Sequence, residues 1–342
     1  NSIIRADISA PSLSVLDQWL GPQPVELGPW QASALFQGSR EVVRVDSIMV
    51  EIGSSRTMHV RARGSIGSID LSEPFSLGKV RDVAAKLSLD TKDSAIVGTW
   101  LDLPVPVSHL VEGKADLSGS GDRLQVSNGT LSVSSSDLDG KVTDISALII
   151  NEGTVKLRDA QGLVDVTLSD TSALSQYAEG AFNALGKVHG TGKLSQTEGG
   201  FELNSVEINV EDEAYQIALQ GHIKKLNSVS AADFNLRFSG LKTSDFLSSQ
   251  FNNYNYSSDL GELGGSMRLR WKADSWQISN LNIVNTGSEK LMLKISGSLN
   301  NAQGLPTGDL QAEIRSTDVR ILSEITGLKL ADSSAKVTVK TS

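Results

Sequence analysis

The chain contains no cysteine, which excludes thiolate metal sites and disulfide staples and leaves the redox compartment open. No stretch approaches the ~18 consecutive apolar residues of a membrane-crossing helix. Residues 1–20 lack the basic start and small-residue cleavage site of a secretory leader. Positive charge is in deficit: 31 Lys and Arg stand against 40 Asp and Glu, a net charge of −9. The cations are scattered, so there is no basic stripe to displace counterions from phosphates, and nucleic acid is excluded as a partner. Proline is scarce at 8 residues, so backbone ladders are rarely deprived of a donor. Aromatics make up 5 %, fewer than a sandwich core or a girdled outer-membrane barrel uses.

What remains is 39 % hydrophobic, too apolar for a disordered chain, and arranged with period two. Val206, Ile208 and Val210 alternate with Glu207 and Asn209. Ile217 and Leu219 do the same, as do Phe234, Leu236 and Phe238, then Met267 and Leu269. Leu291, Leu293 and Ile295 follow, and finally Leu310 and Ile314. Earlier segments match: Met58–Ala62, Val83–Leu89 and Val164–Leu168. Such alternation sets one sheet face against something apolar and the other in water, which is the antiparallel pattern. Gly with Asn or Asp marks expected turns at Ser127-Asn128-Gly129, Leu138-Asp139-Gly140, Glu198-Gly199-Gly200 and Asn285-Thr286-Gly287.

A longer period overlies the short one. Val15-Leu16-Asp17-Gln18-Trp19-Leu20 recurs as Ile96-Val97-Gly98-Thr99-Trp100-Leu101, displaced by 81 residues. Ala173–Ala178 follows at +77, Phe246–Phe251 at +73 and Ile321–Ile325 at +75. Each reads as a short amphipathic helix preceded by an N-cap: Ser14, Ser94, Ser172, Ser244 and Asp318. Pro22, Pro24 and Pro29 follow the first helix, and Pro104 and Pro106 the second, as linkers returning to the sheet. The expected layout is the end of a preceding repeat at 1–20, repeats at 21–101, 102–178, 179–251 and 252–326, and the start of another at 327–342. The chain is thus expected to be a fragment of a longer array, since each unit leaves a face that only a neighbour covers.

Nothing in the chain has catalytic spacing. His59, His109, His189 and His222 stand alone, without a metal-ligand partner, and no cofactor is expected. Gly186-Lys187-Val188-His189-Gly190-Thr191-Gly192-Lys193 fails as a phosphate loop. Five residues separate its outer glycines instead of four, and Leu194 stands where Ser or Thr is needed. It reads as a Gly-rich strand start. Glu211-Asp212-Glu213 reads as a charged hairpin tip. The abundant serines include no strained Gly-x-Ser-x-Gly elbow.

The units run from Leu185–Gly192 through Phe201–Val210, Ile217–Gly221 and Phe234–Phe238 to Ser244–Leu247. The next unit repeats this with Leu263–Ser266, Ile278–Ile283, Leu293–Leu299 and Ser316–Val319. This succession resembles the AsmA-like proteins of Gram-negative bacteria, the group that includes AsmA, YhdP and TamB, over essentially the whole chain. The resemblance implies an N-terminal inner-membrane anchor, absent from this sequence, and a periplasmic span. It implies a long, U-shaped (β-taco) sheet with an apolar concave groove, and no enzyme chemistry. It implies conduction of phospholipids toward the outer membrane, with an outer-membrane protein as a possible partner.

The expected fold is therefore all-β: an elongated antiparallel repeat array with short helices between repeats. The fifteen alternating residues from Val206 to Ile314 named above are the candidate groove for phospholipid acyl chains. Two alternatives stay open at this stage. One is an adhesion or scaffold module of stacked β-sandwich domains whose stripe is simply core. The other is assembly of outer-membrane proteins on free strand edges.

Overall fold

A computed structural model describes residues 2–12, 14, 28–53, 58–72, 76–101, 110–151, 155–169, 186–212, 215–226, 231–244, 260–272, 275–302, 305–318 and 335–341. The chain divides into two compact units. Unit 1 is Asn1–Thr167 with Thr191–Glu202, and unit 2 is Leu168–Gly190 with Leu203–Ser342.

Unit 1 holds β1 (Ser2–Ala10), β2 (Trp30–Gly38), β3 (Val42–Gly53), β4 (Met58–Asp70) and β5 (Val80–Thr91). After helix α1 (Ser94–Leu101) come β6 (Leu110–Ser120), β7 (Arg123–Ser134), β8 (Leu138–Asn151) and β9 (Val155–Leu168). The strands β10 (Lys187–Thr197) and β11 (Gly200–Glu211) are shared between the units. Unit 2 continues with β12 (Gln216–Lys224), β13 (Ala231–Lys242), β14 (Glu262–Lys272), β15 (Ser275–Thr286) and β16 (Leu291–Ala302). It ends with β17 (Leu305–Thr307), β18 (Leu310–Ser316) and β19 (Ala335–Thr341).

The fold is all-β and antiparallel. From β1 to β8 each strand pairs with its successor, and so do β11 to β16. In unit 2, β16 then pairs with β17 and with β18, and β18 with β19. Short connections between alternating strands make this meander the natural outcome.

A bulge recurs at one place in the second strand of each of the four expected repeats. In β11, Leu203 faces Ile223 and Val206 faces Gly221, so three residues span what two span on β12. In β15, Ile278 faces Leu299 and Leu281 faces Gly297. In β7, Val126 faces Ala147 and Gly129 faces Ile145; in β3, Val45 faces Ile66 and Ile48 faces Gly64. The extra residue sits in the left-handed region at Asn128 (φ 51°), Ser205 (φ 50°) and Asn280 (φ 54°). Asn tolerates that region better than most residues with a Cβ. One extra residue inverts the parity of everything before it. The inward positions in β15 are therefore 276, 278, 281, 283 and 285, and in β7 they are 124, 126, 129, 131 and 133. An apolar face that plain alternation would break is carried through the bulge. Residues 48, 129, 206 and 281, just after each bulge, are 81, 77 and 75 apart.

Two expected turns are corrected by this register. Ser127-Asn128-Gly129 lies inside β7 as its bulge, and Leu138-Asp139-Gly140 opens β8, the turn being at 135–137. Ser135 makes that turn, its Oγ accepting the N–H groups of Asp137 and Leu138 at 3.3 and 3.1 Å. Glu198-Gly199 is a turn, as its sequence indicates.

The helix marker at Ile96–Leu101 is helical within α1, but α1 is not two-faced. Its sequence SAIVGTWL has only Ser94 and Thr99 as polar residues, so it is apolar almost all round. Its start is held by Asp93 rather than by Ser94 as cap: Asp93 Oδ1 accepts the Ala95 N–H at 3.0 Å. Thr91 steers the chain into that turn. Its Oγ1 accepts from Asp93 N at 3.0 Å and donates to Asp93 O at 3.2 Å. Ser316, 225 residues later, makes the same pair of bonds with Asp318, both at 3.0 Å. The other four expected helices, at 15–20, 173–178, 246–251 and 321–325, lie outside the described residues.

Candidate apolar site

In unit 1, cross-strand neighbours line up as Trp30, Ile52, Val60, Leu89, Gly113, Leu131 and Val142, one from each of seven successive strands. All stand on the face that the bulges keep apolar. That face opens onto a cavity of ≈ 390 Å³. Its lining includes Val60, Leu87, Leu89, Val126, Leu131, Val142, Ile145 and Ala147, with Val97 of α1 added from above. The volume falls in the ~300–1,000 Å³ range of ligand pockets. At the strand end beside α1, Met58 is 2 % exposed and packs against Trp30, Ile52, Val60, Leu89 and Ile96. The helix thus covers one end of the apolar rows.

In unit 2 the longest row is Val210, Ile217, Phe238, Gly265, Ile283, Ile295, Ala312 and Val339. A second contains Ile208, Leu219, Leu236 and Met267. A third contains Val206, Gly221, Phe234, Leu269 and Ile278. Leu293 faces Ile314, Leu291 faces Ser316, and Leu310 faces Gly297. All fifteen candidate residues therefore share one face of unit 2. They differ in depth. Val206, Val210, Phe234, Leu291, Leu293 and Ile314 are buried, and the other nine are half-buried.

Three of the buried six, Leu291, Leu293 and Ile314, owe their depth to packing at one strand end, where they form a cluster with Leu260 and Leu263, and Phe238, Leu241, Ile283 and Ile295 lie against it. Asn285 takes an inward position there. Its Nδ2 donates to the carbonyls of Leu260 (2.9 Å) and Leu291 (2.8 Å), and its Oδ1 accepts from Leu293 N (2.7 Å). A half-buried amide is tolerated there because both its N–H groups and its oxygen are bonded.

The outward face of unit 2 is polar. Asp233 on β13 accepts from Arg268 Nε and Nη2 at 2.7 Å each, and from Arg270 Nε at 3.2 Å. The Arg268 hydrogen bonds hold the Asp233 carboxyl below its ordinary value against the opposing effect of burial, and Arg268 is raised in turn. In unit 1, His59 lies 3.7 Å from Asp90 on the same polar side. Among the described residues no three His, Asp or Glu side chains converge as metal ligands, and no helix is long and apolar enough to cross a membrane. Gly186–Lys193 runs from a left-handed Gly186 into strand β10. Asp212 N donates to Tyr215 O across the expected hairpin tip, of which Glu213 lies outside the described residues.

The cavity residues of unit 1 were absent from the fifteen candidates, although Met58–Ala62 and Val83–Leu89 alternate just as clearly. The missing signal was the two-three-two-two spacing of β3 and β7, which identifies the bulged strands. No protein-family model matches this chain, and no characterised protein or solved structure does.

Proposed function

We propose that this chain is a segment of a periplasmic, inner-membrane-anchored bridge that conducts phospholipids along an apolar groove toward the outer membrane, as its resemblance to AsmA-like proteins implies. The observation that carries the reading is the unbroken apolar face of unit 1 and its cavity. Residues of β4 and β9 line the same volume. Five strand steps at ~4.8 Å would hold them ~24 Å apart on a flat sheet, and a flat sheet encloses nothing. A sheet bent toward its apolar side supports the curled, taco-like groove. The lining is mostly branched aliphatic, without fixed polar groups to select one ligand shape, which suits flexible acyl chains. Each methylene taken from water contributes ~0.8 kcal/mol. Head groups would stay at the strand ends, in water.

The test is lipid extraction and mass spectrometry on protein purified without detergent. Stoichiometric phospholipid is the expected result. Leu131→Asp, set in the middle of the unit 1 cavity, is expected to lose that lipid while the protein stays folded by circular dichroism. A lipid-free, heat-stable wild type would overturn the reading in favour of closed sandwich cores.

A further inference from the structure

We propose that one strand-end rim of unit 2, where β12 and β14 end at Lys224 and Lys272, docks on a bilayer surface bearing anionic phosphodiester head groups. Lys224 ends β12 and Lys225 follows it, and Arg268, Arg270 and Lys272 close β14. Lys224 and Lys272 both face Ala231, so they stand in one row, two strands apart. Lys224, Lys225, Arg270 and Lys272 are exposed. Two carboxylates stand at this rim among the described residues: Asp233, which Arg268 and Arg270 already engage, and Glu202, one residue before the Leu203 that faces Ile223. Five cations thus meet two acids, an excess of three; Asp274 in the sequence, outside the described residues, lowers it to two. This is concentrated in a chain whose net charge is −9. At the opposite ends of these strands, Glu211, Asp212, Glu262 and Glu289 stand beside Lys242 and Lys290, so the two rims differ in sign.

The second observation is aromatic. Trp271 is 48 % exposed on the other face of the same strand end, directly opposite Trp276. Indole and lysine seek the same depth of a membrane, where the ring meets the glycerol region and the ammonium meets phosphate. A rim with tryptophan on one face and cations on the other fits a planar array of phosphodiesters approached edge-on. The cations lie on the outward face, away from the apolar rows, so a lipid on those rows is not what they address. Docking goes beyond the groove reading and does not require it.

The test is flotation of the whole chain with vesicles of phosphatidylcholine alone, or of phosphatidylcholine and phosphatidylglycerol in equal parts. Binding is expected only to the anionic vesicles and is expected to fall as salt rises. The variant K224Q/K225Q/K272Q should bind on the order of a hundredfold more weakly, about fivefold per cation. The control K86Q/K141Q/K193Q, with equal charge loss on unit 1, should match wild type. Tryptophan emission should shift to the blue on anionic vesicles, and Trp271→Phe should remove most of that shift. Equal binding to both vesicle types, or equal loss in the control, overturns the proposal. So does competition by inorganic phosphate, which would identify a free-anion site instead. The triple variant keeps whatever lipid co-purifies with wild type, so failure here is distinct from failure of the groove reading.

Discussion

The row that crosses unit 1 as Val60, Leu89, Gly113 and Leu131 crosses unit 2 as Ile217, Phe238, Gly265 and Ile283. The strands correspond and the glycine is retained, but the side chain beside it changes. In unit 2 a Cβ added to Gly265 would meet the Phe238 ring at 3.0 Å, so the ring lies over the glycine. In unit 1 a Cβ on Gly113 would meet Leu131 Cδ1 at 3.3 Å and Leu89 Cβ at 3.5 Å, with only aliphatic carbon nearby. Two rows further, Ala85 faces Gly64 in unit 1, whereas Phe234 faces Gly221 in unit 2. Two phenylalanines, placed where unit 1 has Leu and Ala, fill space over the glycines of unit 2. The register makes the face; the size of two or three side chains decides how much of it stays open.

The largest expected effect tests the register itself. Deleting Asn280 should remove the bulge of β15, turn Trp276 and Ile278 outward and bring Gln277 inward. The loss of two half-buried apolar side chains from that face, with Gln277 taking their place, is on the order of 4 kcal/mol, read as a lower urea midpoint, with only the transition of unit 2 affected. If the midpoint is unchanged, the bulge does not set the face.

Truncation tests the filling. Leu291→Ala, at 2 % exposure in the unit 2 cluster, should cost about 3 kcal/mol in the same assay. Leu131→Ala, beside an existing cavity in unit 1, should cost roughly half as much, since it creates less new void. Equal costs would mean that the unit 1 cavity is filled in solution. The converse change, Leu89→Phe, should leave the midpoint within ~1.5 kcal/mol while reducing co-purified lipid, as the ring occupies the cavity.

Asn280→Gly against Asn280→Ala isolates the left-handed residue: alanine should cost about 1 kcal/mol, and glycine less. The smallest effect is electrostatic. The Asp233 carboxyl is lowered by Arg268, so its contribution is complete above the ordinary carboxyl value of 3.8 and is lost as pH falls through the lowered value. Asp233→Asn should flatten the acid limb of the stability curve between 3.8 and that lowered value, where thermal melts in acid buffers would detect it.

Part of this architecture is open to reading from residues alone. Alternation identifies strands and their antiparallel pairing, because a pleated chain must show opposite faces at successive residues. The fifteen candidates share a face for that reason. The marker Ile96–Leu101 falls within helix α1. Other features mislead when read locally. Ser127-Asn128-Gly129 has the composition of a turn, but Asn128 serves a bulge. Ser94 looks like a cap, but the chain enters α1 one residue earlier, and Asp93 takes the role.

What residue order determined by itself is the all-β antiparallel class and the polarity of each strand face, since these follow from period two and from the solvation of polar side chains. What only the tertiary structure decided is depth. Leu291 at 2 % exposure and half-buried Leu219 obey the same alternation. The difference comes from which strand end the Leu260 cluster covers, and from whether a phenylalanine or a leucine reaches across a glycine on the neighbouring strand. Those are contacts between residues far apart in the chain, and no local pattern encodes them.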